Sequence, residues 1–399
     1  MKVLVLTPSY PGEGVQKADT PVVHYFVRQW VKMGVEVRVI NYPVNFPLIV
    51  NWAAKPIQSF IEAREGSEIR TWNLDEREYI IEGVKVKRIP LVKNLPHTRY
   101  SRRQIALALN KTRDYLENEG FVPDIISSHW INPQYEIMHH LKSIYNCKTC
   151  YVAHDSGADF FSIYKKESIN YISETDVFGY RCETIKRQFE DSFNCQDKPS
   201  FMCYSGIPTQ YIDTVKRSIG NVNSFIHVAT LLKRKYPAVI VPAVFNAFGN
   251  SDFKITYIGT GKETNTIKEY SKRLGIEDKI RLLGRVPREE VVRQMDSHSV
   301  FIMISRDETF GLVYLEAMAR GCITIASKNE GFDGIIKDGV NGFLCKAGDV
   351  EELSEILLKI KSLPKEELQR ISEAALETAL SLTDEKVARN YLENLKKCL

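Results

Sequence analysis

The chain has 399 residues, 44% of them hydrophobic and 26% charged, which is enough for two domains with an ample core and is typical of a soluble globular protein. Its net charge is a modest +4, and no run of 18 apolar residues occurs, so a membrane-spanning protein is not expected. Eight scattered cysteines show no disulfide framework, which suits a reducing compartment, and Cys147-x-x-Cys150 lacks a second pair at zinc spacing.

The start, Met1-Lys2-Val3-Leu4-Val5-Leu6-Thr7-Pro8, turns polar too soon for a signal peptide and reads as a first strand. A loop with Pro11, Gly12 and Gly14 follows, then a helix from about Thr20 to Met33 with Val23, Phe26, Val27, Trp30 and Val31 on one face. Gly34 stops that helix and Val35–Ile40 is the next strand, so the chain opens as half of a doubly wound nucleotide-binding sheet. Gly12 and Gly14 are candidates to approach a phosphate, although such a pair alone is more often a turn.

Residues 42–60 are apolar and aromatic, either a surface that touches lipid or a helix packed on the sheet. From Val84 to Arg113 there is no acid, while Lys85, Lys87, Arg88, Lys93, Arg99, Arg102, Arg103, Lys111 and Arg113 all occur. That points to an anionic partner, or else to a solvated face paired with acids from elsewhere. Strands are expected at Tyr79–Ile81, Val84–Ile89, Asp124–Ser128, Thr149–Val152 and Ser200–Cys203, and helices at Pro133–Tyr145 and Tyr180–Phe193. His154 follows the strand Cys150–Ala153, placed for chemistry or for a structural hydrogen bond.

The βα alternation restarts after Tyr204-Ser205-Gly206-Ile207-Pro208. Strand Ser224–Ala229 leads to Lys235, and strand Phe253–Ile258 to the turn Gly259-Thr260-Gly261. The apolar run Ser299–Ile304 reads as a buried strand, the residues after it as a short polar loop, and Gly311–Arg320 as a helix ended by Gly321. Glu308 therefore lies at the carboxyl end of a strand, where open α/β sheets bind ligands, and Glu316 lies in the helix beyond. Backbone N–H groups of Thr309, Phe310, Gly311 and Leu312 are suited to a phosphate. The bland alternative makes Glu316 the partner of a neighbour and Glu308 a solvated charge.

Glu308-Thr-Phe-Gly-Leu…Leu315-Glu-Ala-Met-Ala-x-Gly321, followed by an apolar β run, resembles the signature of retaining glycosyltransferase family 4. The resemblance implies a GT-B fold: α/β, with two Rossmann-like doubly wound domains facing a central cleft. The expected division is 1–204 for the acceptor-side domain, 205–382 for the nucleotide-sugar domain, and 383–399 for a helix crossing back. It also implies that Glu308 faces the donor sugar, that Glu316 binds the nucleotide ribose, that Lys235 and the Gly259–Gly261 turn lie near the diphosphate, and that His154 reaches a sugar hydroxyl. Thr230 stands where the family carries an arginine, with Lys233 and Arg234 as candidate substitutes, and Gly334 stands where it carries a glutamate.

The expected activity is retaining transfer of a hexose, with UDP-hexose as donor, to a glycan or lipid-linked acceptor in cell-surface polysaccharide synthesis. The departing phosphate would take the acceptor's proton, with no cofactor and no obligatory metal, and no Asp-x-Asp pair is placed to hold one. The chain would work in the cytoplasm, peripherally on an anionic membrane. A nucleotide-sugar epimerase or hydrolase on the same fold is the competing enzyme. A nucleic-acid-binding protein is disfavoured, because Tyr100 is the only aromatic in the basic stretch.

Overall fold

The structure, a computed structural model, describes residues 1–12, 21–47, 73–95, 98–155, 157–212 and 219–399. These divide into two units: one is the chain up to Gly206 together with Asp384–Leu399, the other Ile207–Thr383. The apolar segment expected between residues 42 and 60 falls largely outside the described residues, as does Gly14.

In the first unit an eight-stranded sheet runs in the order Ser200–Met202, Val177–Tyr180, Lys148–Ala153, Ile125–His129, Lys2–Thr7, Glu36–Asn41, Val84–Arg88, Arg77–Ile81. All neighbours are parallel except the last pair. Val3, Leu4, Val5 and Leu6 are buried on both faces, as a central parallel strand covered by helices must be. The helix Val22–Lys32 buries Val23, Phe26, Val27 and Trp30, the face expected from their spacing. Against it packs Asp384–Lys396: Trp30 Nε1 donates to Ala388 O at 2.8 Å and the Tyr391 ring meets Trp30 edge-on at 4.8 Å.

Several elements differ from the sequence reading, among them the helices Gly157–Tyr164, Glu167–Glu174 and Ile240–Phe248, which it did not expect. The helix expected from Tyr180 begins only at Glu183, because Val177-Phe178-Gly179-Tyr180 is a wholly buried strand. Its β-favouring Val, Phe and Tyr pair with Lys148–Ala153. The acid-free basic stretch contains the start of a helix, Arg102–Asn118, whose cap Ser101 accepts the Gln104 N–H.

The second unit is an all-parallel six-stranded sheet in the order Ile280–Leu282, Lys254–Ile258, Ser224–Val228, Val300–Ile302, Ile323–Ser327, Phe343–Cys345. Successive strands step outwards from Ser224–Val228 to one edge, then return to Val300–Ile302 on its other side. The strand order reverses there, and open α/β sheets leave a crevice at the carboxyl ends of the two strands that flank such a reversal. In the first sheet the same reversal separates Lys2–Thr7 from Ile125–His129.

Candidate functional site

The two strands flanking the reversal in the second unit end in the loops that carry Lys235 and Glu308. A single 3₁₀ turn, Lys233–Lys235, follows the strand Ser224–Val228. After Val300–Ile302 the chain passes through left-handed Asp307 (φ 56°) and Gly311 (φ 80°) before the helix Leu312–Ala319. Lys235 Nζ donates to Glu308 Oε2, and the two side chains are only 11% and 13% exposed. Burial pulls the Lys235 ammonium below its usual range, and the Glu308 carboxylate opposes that pull. Ser305 Oγ donates to the same carboxylate oxygen at 3.4 Å. So the residues expected at the sugar and at the diphosphate meet, each as the other's counter-ion.

Glu330 completes this cluster. Its carboxylate accepts the Glu308 N–H at 2.9 Å, and burial, followed by the charges of Asp307 and Glu308, raises its pKa. Gly331 lets the chain lie directly on the loop: a Cβ there would stand 2.4 Å from Glu308 O and 2.6 Å from Phe310 N. The turn Gly259–Gly261 is fitted in the same way, since a Cβ on Gly259 would meet Ala229 O at 1.9 Å. Arg234 is exposed, and its guanidinium donates to Asp307 O at 3.3 Å and to Arg306 O at 3.4 Å. It is thus tied to the Glu308 loop, while Lys233 is simply exposed. Thr309 and Phe310 lie in that loop, Gly311 caps the following helix and Leu312 begins it.

Glu316 takes an ion pair with Arg288, whose guanidinium also lies 4.7 Å over the Tyr211 ring. Burial raises the Glu316 pKa and the Arg288 charge opposes the rise.

In the first unit Gly12 lies against the ring of Tyr79, whose hydroxyl donates to Pro11 O at 2.8 Å. His154 is 7% exposed, with its Nε2 at 3.1 Å from His129 Nδ1 and the Trp130 ring stacked on it at 3.9 Å. Burial, with Arg181 and His129 nearby, holds His154 well below the ordinary imidazole range. Burial and the neighbouring Asp159 lift Asp155, beside it in sequence, to about 6.

The sequence pattern that defines the glycosyl transferases group 1 matches residues 212–378, the unit that holds the Lys235–Glu308 pair. The chain carries a group 1 glycosyl transferase domain. Over 168 residues it is 32% identical to an N-acetyl-alpha-D-glucosaminyl L-malate synthase of Bacillus anthracis, covering 42% of this chain and 43% of that enzyme. A glycosyltransferase of Methanocaldococcus jannaschii is 26% identical over 70% of this chain and 77% of its own length. Among solved structures, Anabaena HepE in complex with UDP and glucose superposes with a TM-score of 0.65 at 16% identity, covering 100% of both chains. The fold is GT-B.

Within the transferase domain, Glu330 and Arg288 escaped the sequence reading, and so did His129, Trp130 and Tyr391 in the first unit. Glu330 acts through a loop 22 residues away and Tyr391 through a helix at the far end of the chain, so no local spacing announces either. His129 had a signal: like His154, it stands at the carboxyl end of a strand, beside the sheet's reversal.

Proposed function

We propose that the chain transfers a hexose from UDP-hexose, with retention of configuration, to a glycan or lipid-linked acceptor in cell-surface polysaccharide synthesis. The observation that carries this is the Lys235–Glu308 pair at the switch point of the transferase domain. Donor cleavage expels an anionic diphosphate while positive charge grows on the sugar. Lys235 and the N–H groups of Thr309–Leu312 suit the first charge, and Glu308 suits the second. In the resting site Lys235 spends its charge on Glu308. An incoming diphosphate would draw the ammonium away and release the carboxylate towards the sugar.

Arg234 takes the place of the arginine missing at Thr230, and Gly259 and Gly261 let the backbone approach the phosphates. Glu316, held by Arg288, meets the ribose, His154 donates to a sugar hydroxyl, and Gly12 and Gly14 contact the donor. The departing phosphate accepts the acceptor's proton, so the reaction needs no metal and no cofactor. The UDP-and-glucose complex of HepE supports the choice of donor.

No helix among the described residues is long and apolar enough to cross a membrane. We place the chain in the cytoplasm, held peripherally to the inner leaflet. Much of the basic stretch is answered within its own unit: Lys85 pairs with Glu119 at 2.7 Å, Lys87 with Glu76 at 3.0 Å, and Arg99 with Glu136 and Glu167, both at 2.8 Å. Arg102 and Arg103 remain exposed at the first turn of Arg102–Asn118. Beside them an open concavity of about 540 Å³ is lined by the apolar Val92, Ala106 and Leu107, by Arg103 and by uncharged polar side chains. That combination suits an anionic lipid headgroup.

Calorimetry with a panel of nucleotide sugars tests the donor. One UDP-hexose should bind far more tightly than its GDP and ADP counterparts, and the anomeric configuration of the product, read by NMR, should match the donor's. Binding of no nucleotide sugar, or an inverted product, refutes the proposal.

A further inference from the structure

Ser127, His129, His154 and Tyr391 form one hydrogen-bonded line through the first unit. Ser127 and His129 belong to the strand Ile125–His129, and His154 follows the adjacent parallel strand Lys148–Ala153. Tyr391 comes from the helix Asp384–Lys396. All four are buried. The Ser127 and Tyr391 hydroxyls are hydrogen-bonded, Tyr391 OH stands 3.3 Å from His129 Nε2, and His129 Nδ1 stands 3.1 Å from His154 Nε2.

Each hydroxyl and each neutral imidazole has a single proton to give along this line, so the four protons must all point the same way. If Tyr391 donates to His129 Nε2, His129 carries its proton on Nδ1 and donates to His154 Nε2, and His154 is protonated on Nδ1. If Tyr391 donates to Ser127 instead, both imidazoles reverse and His154 is protonated on Nε2. The surroundings choose between these arrangements. In the second, the proton on Ser127 is left with Cys150 Sγ, a weak acceptor that already lies 3.9 Å from Tyr391 OH. In the first, the protons of Ser127, Tyr391 and His129 each find an oxygen or nitrogen.

We infer that Tyr391, acting through His129, fixes His154 as the Nδ1–H tautomer, so that His154 meets a sugar hydroxyl as a hydrogen-bond donor. His129 and Tyr391 are positioning residues, and the step to the sugar rests on the reading of His154 under Proposed function. Both imidazoles are held neutral: burial and then the Arg181 charge bring His129 down to about 3, and His154 also lies far below its ordinary range. The Tyr391 phenol is pushed well above its usual range by burial and keeps its proton. Trp130, in left-handed backbone (φ 64°) and stacked on His154, fixes the plane of the ring.

Long-range ¹⁵N–¹H NMR of the full-length protein reports the tautomer of each histidine without reference to activity. Wild type should show His154 with a protonated Nδ1 and an unprotonated Nε2 from pH 6 to 8. Tyr391→Phe should keep its packing against Trp30 and Phe26 yet release His129, giving a mixture of His154 tautomers and a fall in kcat of about tenfold. His129→Gln, whose amide N–H can still reach His154 Nε2, should retain the Nδ1–H form and most of the rate. An Nε2–H His154 in wild type, or an unchanged tautomer in Tyr391→Phe, overturns the inference. A shifted tautomer with an unchanged rate leaves the relay standing and removes His154 from the reaction instead.

Discussion

Lys235 gives up most of its water inside the transferase domain, and Glu308 supplies the compensating charge. A buried pair of this kind is costly to break from one side, by about 3–5 kcal/mol, because the remaining charge is stranded. Lys235→Ala should therefore lower the melting temperature and, through the lost charge-assisted bond to phosphate, raise the donor Kd by about 10- to 100-fold. Calorimetry and thermal melts check both. If Kd is unchanged while Arg234→Ala raises it, the diphosphate is held elsewhere. Glu308→Gln keeps the volume but no longer competes for the ammonium. It should leave donor affinity equal or tighter while turnover at saturating donor drops by about 10²- to 10³-fold, and wild-type-like turnover would remove Glu308 from the chemistry. Glu330 holds the loop through the Glu308 N–H. Glu330→Ala should slow turnover while Glu330→Gln, which retains an acceptor oxygen, should not, and equal rates in both variants would confine Glu330 to a surface role.

The helix Arg102–Asn118 shows how little a run of like charges says about which of them face a partner. Its buried side is Ile105, Ala108, Thr112, Tyr115 and Leu116. Of the basic residues around it, Arg99 and Lys111 are committed to Glu136, Glu167 and Glu76. Replacing Arg99 should therefore destabilise the first unit rather than report on a membrane. Arg102→Gln with Arg103→Gln should instead lower sedimentation with phosphatidylserine vesicles several-fold and leave donor binding unchanged. Each cation near an anionic leaflet contributes roughly 1 kcal/mol, screened at high salt. Equal sedimentation of wild type with neutral and anionic vesicles would refute the peripheral placement. The elements themselves were largely legible. The spacing of Val23, Phe26, Val27 and Trp30 marked one helix, and apolar runs such as Val300–Ile302 marked strands buried on both faces. Val177–Tyr180 was missed because four residues without alternation blend into the helix that follows.

Across the whole chain, a parallel α/β architecture was readable because period and punctuation are local, whereas much of the charge pairing at the candidate site was not. Glu308 and Lys235 could be picked out by their places after strands. That they neutralise each other, or that Glu330 and Tyr391 join the clusters, depends on contacts spanning 73, 22 and 262 residues. The same long-range packing leaves a buried neutral histidine in each unit. His129 is lowered to about 3, and His227, with Nδ1 donating to Ile302 O at 2.9 Å and Nε2 facing no partner among the described residues, to about 4. Both shifts are led by burial, which penalises the imidazolium. The unfolded chain takes up these protons near pH 6.5, and the folded protein only below about 4 and 3. Between those values the unfolded state binds more protons, so stability falls as pH falls. Each histidine should contribute a slope of up to about 1.4 kcal/mol per pH unit. Urea titrations from pH 7 to 4 should show the midpoint dropping with acidification. His227→Gln, which cannot charge and keeps a donor for Ile302 O, should flatten the dependence of the transferase domain alone. An undiminished slope in that variant would mean that groups other than His227 set the acid sensitivity of that domain.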